Sequence, residues 1–236
     1  MGGFELMRKV AIVGNGPGLL KSQHGAEVDE ADAVVRINYY RIDGYAKHVG
    51  TRTDYWVNHL MRIAEDVGDY VPPGLSCLRE VWLFARWEGY ETTEQIWEAI
   101  QHPKYKEALR GVRIRNTSYK EYFKMHREVG ERRPSNGYGA ISLALKYLDP
   151  DELLMLGFDV MLVGVLPRPV TRRYAYYWGY GHEHTATVNI SKDENIPMER
   201  TPLLAKLAAS GFVEKWSENG CALFAKTETR ESNGES

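Results

Sequence analysis

Short apolar runs of four to six residues recur along this chain, each closed by a turn signal and most followed by a stretch with helical spacing. Runs of that length are too short for core helices. They are also too continuous for strands with one wet face, so they read as strands covered on both sides. The candidates are Lys9–Val13, Ala33–Ile37, 54–57, 80–85, 112–115 and Glu152–Leu156. Helices are expected over 59–67, over 92–100 behind Thr92 or Thr93, over 103–109 behind Pro103, and from Ser118 to about Val129. Another opens near Gly137, where Ala140, Ile141, Ala144, Leu145 and Leu148 fall on one face. A helix over 198–210 and a last strand over 222–225 complete the pattern. The alternation predicts an α/β fold with a mostly parallel sheet flanked by helices.

The segment from Val160 to Pro197 departs from that alternation and collects Arg168, Arg172, Arg173, Tyr174, Tyr176, Tyr177, Trp178, Tyr180, His182 and His184. A long connection of this kind in a compact domain reads as a functional loop or lid. With 43% hydrophobic and 26% charged residues in 236, the chain can bury a full core, so disorder is excluded for most of it. A single domain is expected over 1–226, with the polar tail 227–236 disordered. Thirty Lys and Arg against 32 Asp and Glu give a net charge of −2, so no stable nucleic-acid partner is expected. No apolar run reaches membrane-spanning length, and the first residues carry no apolar stretch of signal-peptide length. Cys77 and Cys221 make neither a disulfide framework nor a metal-ligand pattern, so a cytoplasmic location is expected.

Four places have residues suited to chemistry. Gly14-Asn15-Gly16-Pro17-Gly18 follows the first strand, where a glycine-rich turn can bring backbone amides to an anion; a plain tight turn is the alternative. Neither the dinucleotide fingerprint nor a Walker loop is present, because Pro17 and Leu19 break the first and no Gly-Lys-Ser/Thr follows for the second. Asn38 closes the second strand with an amide that donates and accepts, suited to a ribose or base edge, or merely to satisfying a strand end. Pro134-Ser135-Asn136-Gly137 opens an apolar helix, where a cap and an anion site can coexist. In the aromatic segment, phenols can bond a leaving phosphate and a histidine can take a proton from a hydroxyl. His182 and His184 share a strand face, but no spacing assigns His24, His48 or His59 as a third ligand, so no metal is expected. Asp149-Pro150-Asp151 reads as turn chemistry rather than as a metal motif.

Together these motifs resemble the sialyltransferases. Val10–Leu20, Glu27–Asn38 and Val49–Asp54 resemble the large sialylmotif, with its Gly-Asn strand exit, acidic stretch, "R-x-N" strand end and "V-G-x-x-T" segment. Arg133–Gly137 through Leu156-Gly157-Phe158-Asp159 resembles the small sialylmotif. The Gly-Asn-Gly-Pro form is also similar to the bacterial sialyltransferases of lipooligosaccharide synthesis. The resemblance implies a Rossmann-like fold of the sialyltransferase GT-A-variant type, with an aromatic lid. It implies an inverting, metal-independent transferase without cofactor, which moves sialic acid or a related acid sugar from a CMP-sugar donor to a glycan or glycolipid acceptor, one at a membrane surface included. Asn15 and Asn38 would contact the cytidine nucleotide. Amides at Gly14–Gly16, together with Ser135, Asn136 and Gly137, would face the donor phosphate or carboxylate, and Arg172 or Arg173 would pair with the carboxylate. Tyr174 would steady the departing phosphate, with His182 as the base and His184 in reserve. Two departures stand out. The motif stretches lack the paired cysteines of animal enzymes, which suggests a prokaryotic or phage-type protein. Glu199 has Glu194, not His, five residues before it. The alternatives are a Kdo-type donor, a hydroxymethylated DNA base as acceptor, pyrophosphate transfer, and a nucleotide-binding protein without turnover.

Overall fold

The computed structural model describes residues 8–58, 73–84, 107–131, 134–162, 173–175, 181–183 and 199–227. Within them the apolar runs form strands β1 (Lys9–Val13), β2 (Ala33–Ile37), β3 (Tyr55–Asn58), β4 (Glu80–Leu83), β5 (Arg113–Asn116) and β6 (Glu152–Leu156). A short pair, β7 (Arg173–Ala175) and β8 (Gly181–Glu183), is followed by β9 (Phe212–Glu218) and β10 (Cys221–Lys226). The helices are α1 (Gly25–Asp29), α2 (Ala46–Val49), α3 (Tyr119–Glu128), α4 (Asn136–Tyr147), α5 (Asp159–Leu162) and α6 (Arg200–Ala209). The expected helices over 59–67 and 92–100, and most of that over 103–109, lie outside the described residues.

The main sheet has the order β5-β4-β3-β2-β1-β6-β10-β9. The six strands from β5 to β6 are parallel, and the β9–β10 hairpin closes one side antiparallel to β6. Parallel strands need cover on both faces, and alternate residues of each strand supply it. Val10, Ile12, Val35 and Val57 pack with Tyr122, Met125, Tyr138, Ile141, Leu203 and Leu207 of α3, α4 and α6. Ala11, Val13, Val34, Leu154 and Leu156 point the other way, onto Leu19, Val28 and Val49.

Local chemistry explains where the helices begin. Ser118 and Glu121 form a reciprocal capping box at α3, and the Ser135 hydroxyl accepts the Tyr138 amide 3.1 Å away at the start of α4. Strand β9 was not expected from the sequence. It is an edge strand that buries only Phe212 and half-buries Trp216, so it lacks a continuous apolar run. The signal available was Asn219-Gly220, both at positive φ, the two-residue turn whose twist matches a hairpin.

The sheet order puts β2 to β5 on one side of β1 and β6 on the other. The strand order therefore reverses direction at β1, which makes a topological switch point at the carboxyl ends of the strands.

Candidate functional site

The glycine-rich turn after β1 does not leave its amides open. Gly14 N–H donates to the Leu156 carbonyl (2.7 Å), Gly16 N–H to the Gly157 carbonyl (3.0 Å) and Gly18 N–H to Asp159 Oδ1 (2.8 Å). A Cβ on Gly16 would sit 1.7 Å from Asp159 Oδ2 and 2.7 Å from the Gly157 carbonyl oxygen. These glycines let the β1 exit lie directly on the β6 exit. This corrects the expectation that Gly14 and Gly16 offer amides to a phosphate, because each N–H is already spent on backbone. The turn continues as a 3₁₀ segment, Pro17–Lys21, rather than an α-helix. The crevice between β1 and β6 is thus closed by the chain itself, and the polar groups gather on the β2 side of β1.

Three asparagines meet there. Asn15 is 8% exposed, and its Nδ2 donates to the Ile37 carbonyl at 2.8 Å. A carbonyl only accepts, so the amide orientation is set: Oδ1 is the other end, and it has no partner among the described residues. A buried acceptor of this kind calls for a donor, such as a ligand hydroxyl or amine. Asn38 follows β2 with φ 56°, a left-handed conformation that asparagine tolerates. Its amide donates to the Val57 carbonyl (2.9 Å), and its carbonyl accepts the Trp56 indole N–H (2.7 Å). Held this way, its side chain accepts through Oδ1 from Asn136 Nδ2 at the first turn of α4. Positions 38 and 136 are 98 residues apart in the chain. The structure therefore brings Asn15, Asn38 and Asn136 to one stretch of the rim.

At the α4 N-terminus the amides of Asn136 and Gly137 have no intrahelical acceptor, which leaves them oriented for an anion. The Ser135 hydroxyl is otherwise engaged. It donates to Glu199 Oε2 at 2.6 Å while accepting the Tyr138 amide, and the Ser135 amide donates to Glu199 Oε1, also at 2.6 Å. A hydroxyl has one proton. Ser135 therefore caps and anchors the turn, and the Asn136 and Gly137 amides are what remains for a phosphate or carboxylate.

Glu199 is 6% exposed. Burial pushes its carboxyl above the ordinary range, while the two Ser135 hydrogen bonds pull the other way. In the sequence, Glu199 is marked only by the residue five places before it, Glu194. No short-range pattern links it to Ser135, 64 positions away. A second tie from α6, to α4 and α3, has no short-range signal either. Lys206 Nζ of α6 meets Glu128 Oε2 (2.7 Å) and Ser142 Oγ (2.8 Å), and the fully buried Tyr138 donates its hydroxyl to Glu128 (2.9 Å). Burial first, and then the neighbouring Glu128, push the Tyr138 hydroxyl far above its usual range.

From the aromatic segment, the structure describes the antiparallel pair β7–β8. Arg173 is in register with Glu183, and Tyr174 with His182. His184 and Arg172 lie outside the described residues, as do Arg132 and Arg133. Asp149 sits in the turn before β6 at φ 42°, with Lys226 Nζ 2.7 Å from its Oδ1, as turn chemistry predicts.

Two solved structures align with the chain. One, of a mammalian sialyltransferase, covers 86% of this chain and 67% of its own at 18% identity, with a TM-score of 0.49. The other, of a mammalian sialyltransferase in complex with Gal-beta-1-3GalNAc-ortho-nitrophenol, covers 85% and 67% at 19% identity, with a TM-score of 0.48. The fold assignment rests on the sheet order rather than on these scores. In sequence, a CMP-N-acetylneuraminate-beta-galactosamide-alpha-2,3-sialyltransferase 1 from Gallus gallus is 28% identical over 159 residues, 64% of this chain. The chain spans about half of that relative's length, 45%. The family model of glycosyltransferase family 29 (sialyltransferase) matches residues 5–66, the stretch that contains β1, Asn15, β2, Asn38 and β3. Through this stretch the chain is similar to the sialyltransferases.

Proposed function

We propose that the protein is a glycosyltransferase that moves sialic acid, or a related acid sugar, from a CMP-activated donor to a glycan hydroxyl. The observation that carries this reading is the meeting of Asn15, Asn38 and Asn136 beside the α4 N-terminus, in a chain whose residues 5–66 match the sialyltransferase family. Such a rim offers a free carbonyl oxygen for a ribose hydroxyl or a base amine, and helix amides for an anion. Both needs are those of one cytidine monophosphate.

The reaction in this reading is a single displacement with inversion. The acceptor hydroxyl oxygen forms a bond to the anomeric carbon as the bond from that carbon to the phosphate oxygen breaks. The hydroxyl proton passes to an imidazole, His182 or His184, and CMP leaves with the electron pair. Tyr174, the register partner of His182, is the proposed donor to the departing phosphate. Arg173 is the proposed partner of the donor carboxylate. Stabilising one phosphate group needs oriented amides and phenols rather than a divalent ion, so the transfer is proposed to be metal-independent. The acceptor is proposed to be a glycan or glycolipid. Cys77 and Cys221 are both unpaired thiols, which accords with a proposed cytoplasmic setting.

The test begins with thermal shifts in CMP, UMP, GMP and ADP, where CMP should stabilise selectively. Equal shifts would refute the donor assignment. Transfer from CMP-sialic acid should survive EDTA, and a loss restored by Mn²⁺ would refute the metal-free reading. His182→Ala or His184→Ala should lower turnover by about 10²- to 10⁴-fold. CMP binding without transfer to any glycan would favour a nucleotide-binding protein without turnover.

A further inference from the structure

Outside the asparagine cluster, a pair of short hydrogen bonds reaches a buried carboxylate that carries no ligand-binding role in the reading above. Glu199 precedes α6, is 6% exposed, and takes both the amide hydrogen and the hydroxyl hydrogen of Ser135, each at 2.6 Å. Among the described residues no cation is paired with it. Keeping a carboxyl group so deep is costly unless its hydrogen bonds are strong. Its side chain makes no capping hydrogen bond to the helix it precedes. What it does hold is the residue immediately before Asn136.

We propose that Glu199 is a positioning residue for the nucleotide site, an inference that rests on the function proposed above. Its two oxygens fix the amide and the hydroxyl of Ser135 at once, which removes the rotational freedom of the α4 cap. The hydroxyl then faces the Tyr138 amide with a lone pair and closes the first turn. With that turn closed, Asn136 reaches Asn38, and the Asn136 and Gly137 amides face the rim. A carboxylate suits this task because it accepts twice. Glutamine keeps one acceptor and turns an N–H toward groups that also donate. Alanine removes both contacts and leaves the Ser135 hydroxyl free to rotate.

Lys206 supplies the control. It joins α6 to α4 through Ser142 and to α3 through Glu128, about two turns beyond Glu199, and touches none of residues 135 to 137 in the described contacts. If α6 served only to brace α4, loosening either tie would have the same consequence.

The experiment is calorimetric titration of the full chain with CMP, beside thermal melting, for the wild type, Glu199→Gln, Glu199→Ala and Lys206→Met. Glu199→Ala should weaken CMP binding by about tenfold or more, with Glu199→Gln intermediate. Lys206→Met should lower the melting temperature while leaving CMP affinity within about twofold. Should Glu199→Ala not fold, Glu199→Gln, which keeps size and shape, decides the matter through its affinity. Folded Glu199 variants that bind CMP within twofold of the wild type would overturn the positioning role. So would a Lys206→Met protein weakened as much as Glu199→Ala, since that is the mark of simple bracing. A wild-type protein that does not bind CMP removes the proposed function and this inference with it, whereas normal wild-type binding with unaffected variants removes only the inference.

Discussion

Asn38 is where backbone conformation and site chemistry can be separated by substitution. Replacing it with alanine removes the bond from Asn136 Nδ2, a net loss of about 1 kcal/mol. It also puts an ordinary L-residue at φ 56°, costing about another 1 kcal/mol. Asn38→Ala should therefore destabilise the fold by about 2 kcal/mol. Glycine takes the left-handed conformation freely, so Asn38→Gly should lose only about half as much. The backbone bonds of residue 38 to Val57 and to the Trp56 indole survive both changes. Urea unfolding followed by tryptophan fluorescence reads the difference, with the indole of the fully buried Trp56 bonded to the Asn38 carbonyl as reporter. Affinity for CMP should fall equally in the two variants, because both lack the amide. Equal stabilities for Ala and Gly would refute the conformational argument. Undiminished CMP binding in both would remove Asn38 from the site.

Gly16→Ala should cost about 3 kcal/mol in urea denaturation, because Asp159 can swing aside but the Gly157 carbonyl, 2.7 Å from the new Cβ, cannot. Glu80 and Glu199 should respond to acid with opposite signs. For Glu80, burial favours the neutral form, but bonds from Arg115 and Trp82 and the charges of Arg115 and Arg113 outweigh it and hold the carboxyl below 4.5. Its stabilisation is therefore present above about pH 4.5 and lost below, so Glu80→Gln should approach the wild type in acid when midpoints are followed from pH 7 to 3. Glu199 has a raised value, so its burial penalty acts at neutral pH and fades as pH falls through that value. The wild type should gain on Glu199→Gln as pH approaches 4.5. Of the two thiols, exposed Cys77 should react with a thiol reagent in the native protein. Cys221, buried and with its thiol pushed up by that burial, should react only after unfolding.

The strand positions were legible because each run carries its own signal. Lys9–Val13, Ala33–Ile37 and Glu152–Leu156 appear with the bounds their letters suggest, and Ser118 and Ser135 begin their helices by local capping. The edge strand β9 was missed because only one of its faces is covered, which leaves no continuous run to read. The glycines after β1 were legible as a close approach, but not as to what approaches. Their partner is the exit of β6, more than 140 positions away, as the bond from Gly18 to Asp159 illustrates.

Local sequence determined the strands, the caps and the turns, since each depends on neighbours within a few residues. Which side of β1 stays open, that three asparagines share it, and that a carboxylate 64 residues downstream holds Ser135 were decided only by the tertiary structure. The reason is the sheet order. Placing β6 beside β1 and β2 on its other side closes one crevice with backbone hydrogen bonds and leaves polar side chains to meet at the other, and no interval along the chain encodes that choice.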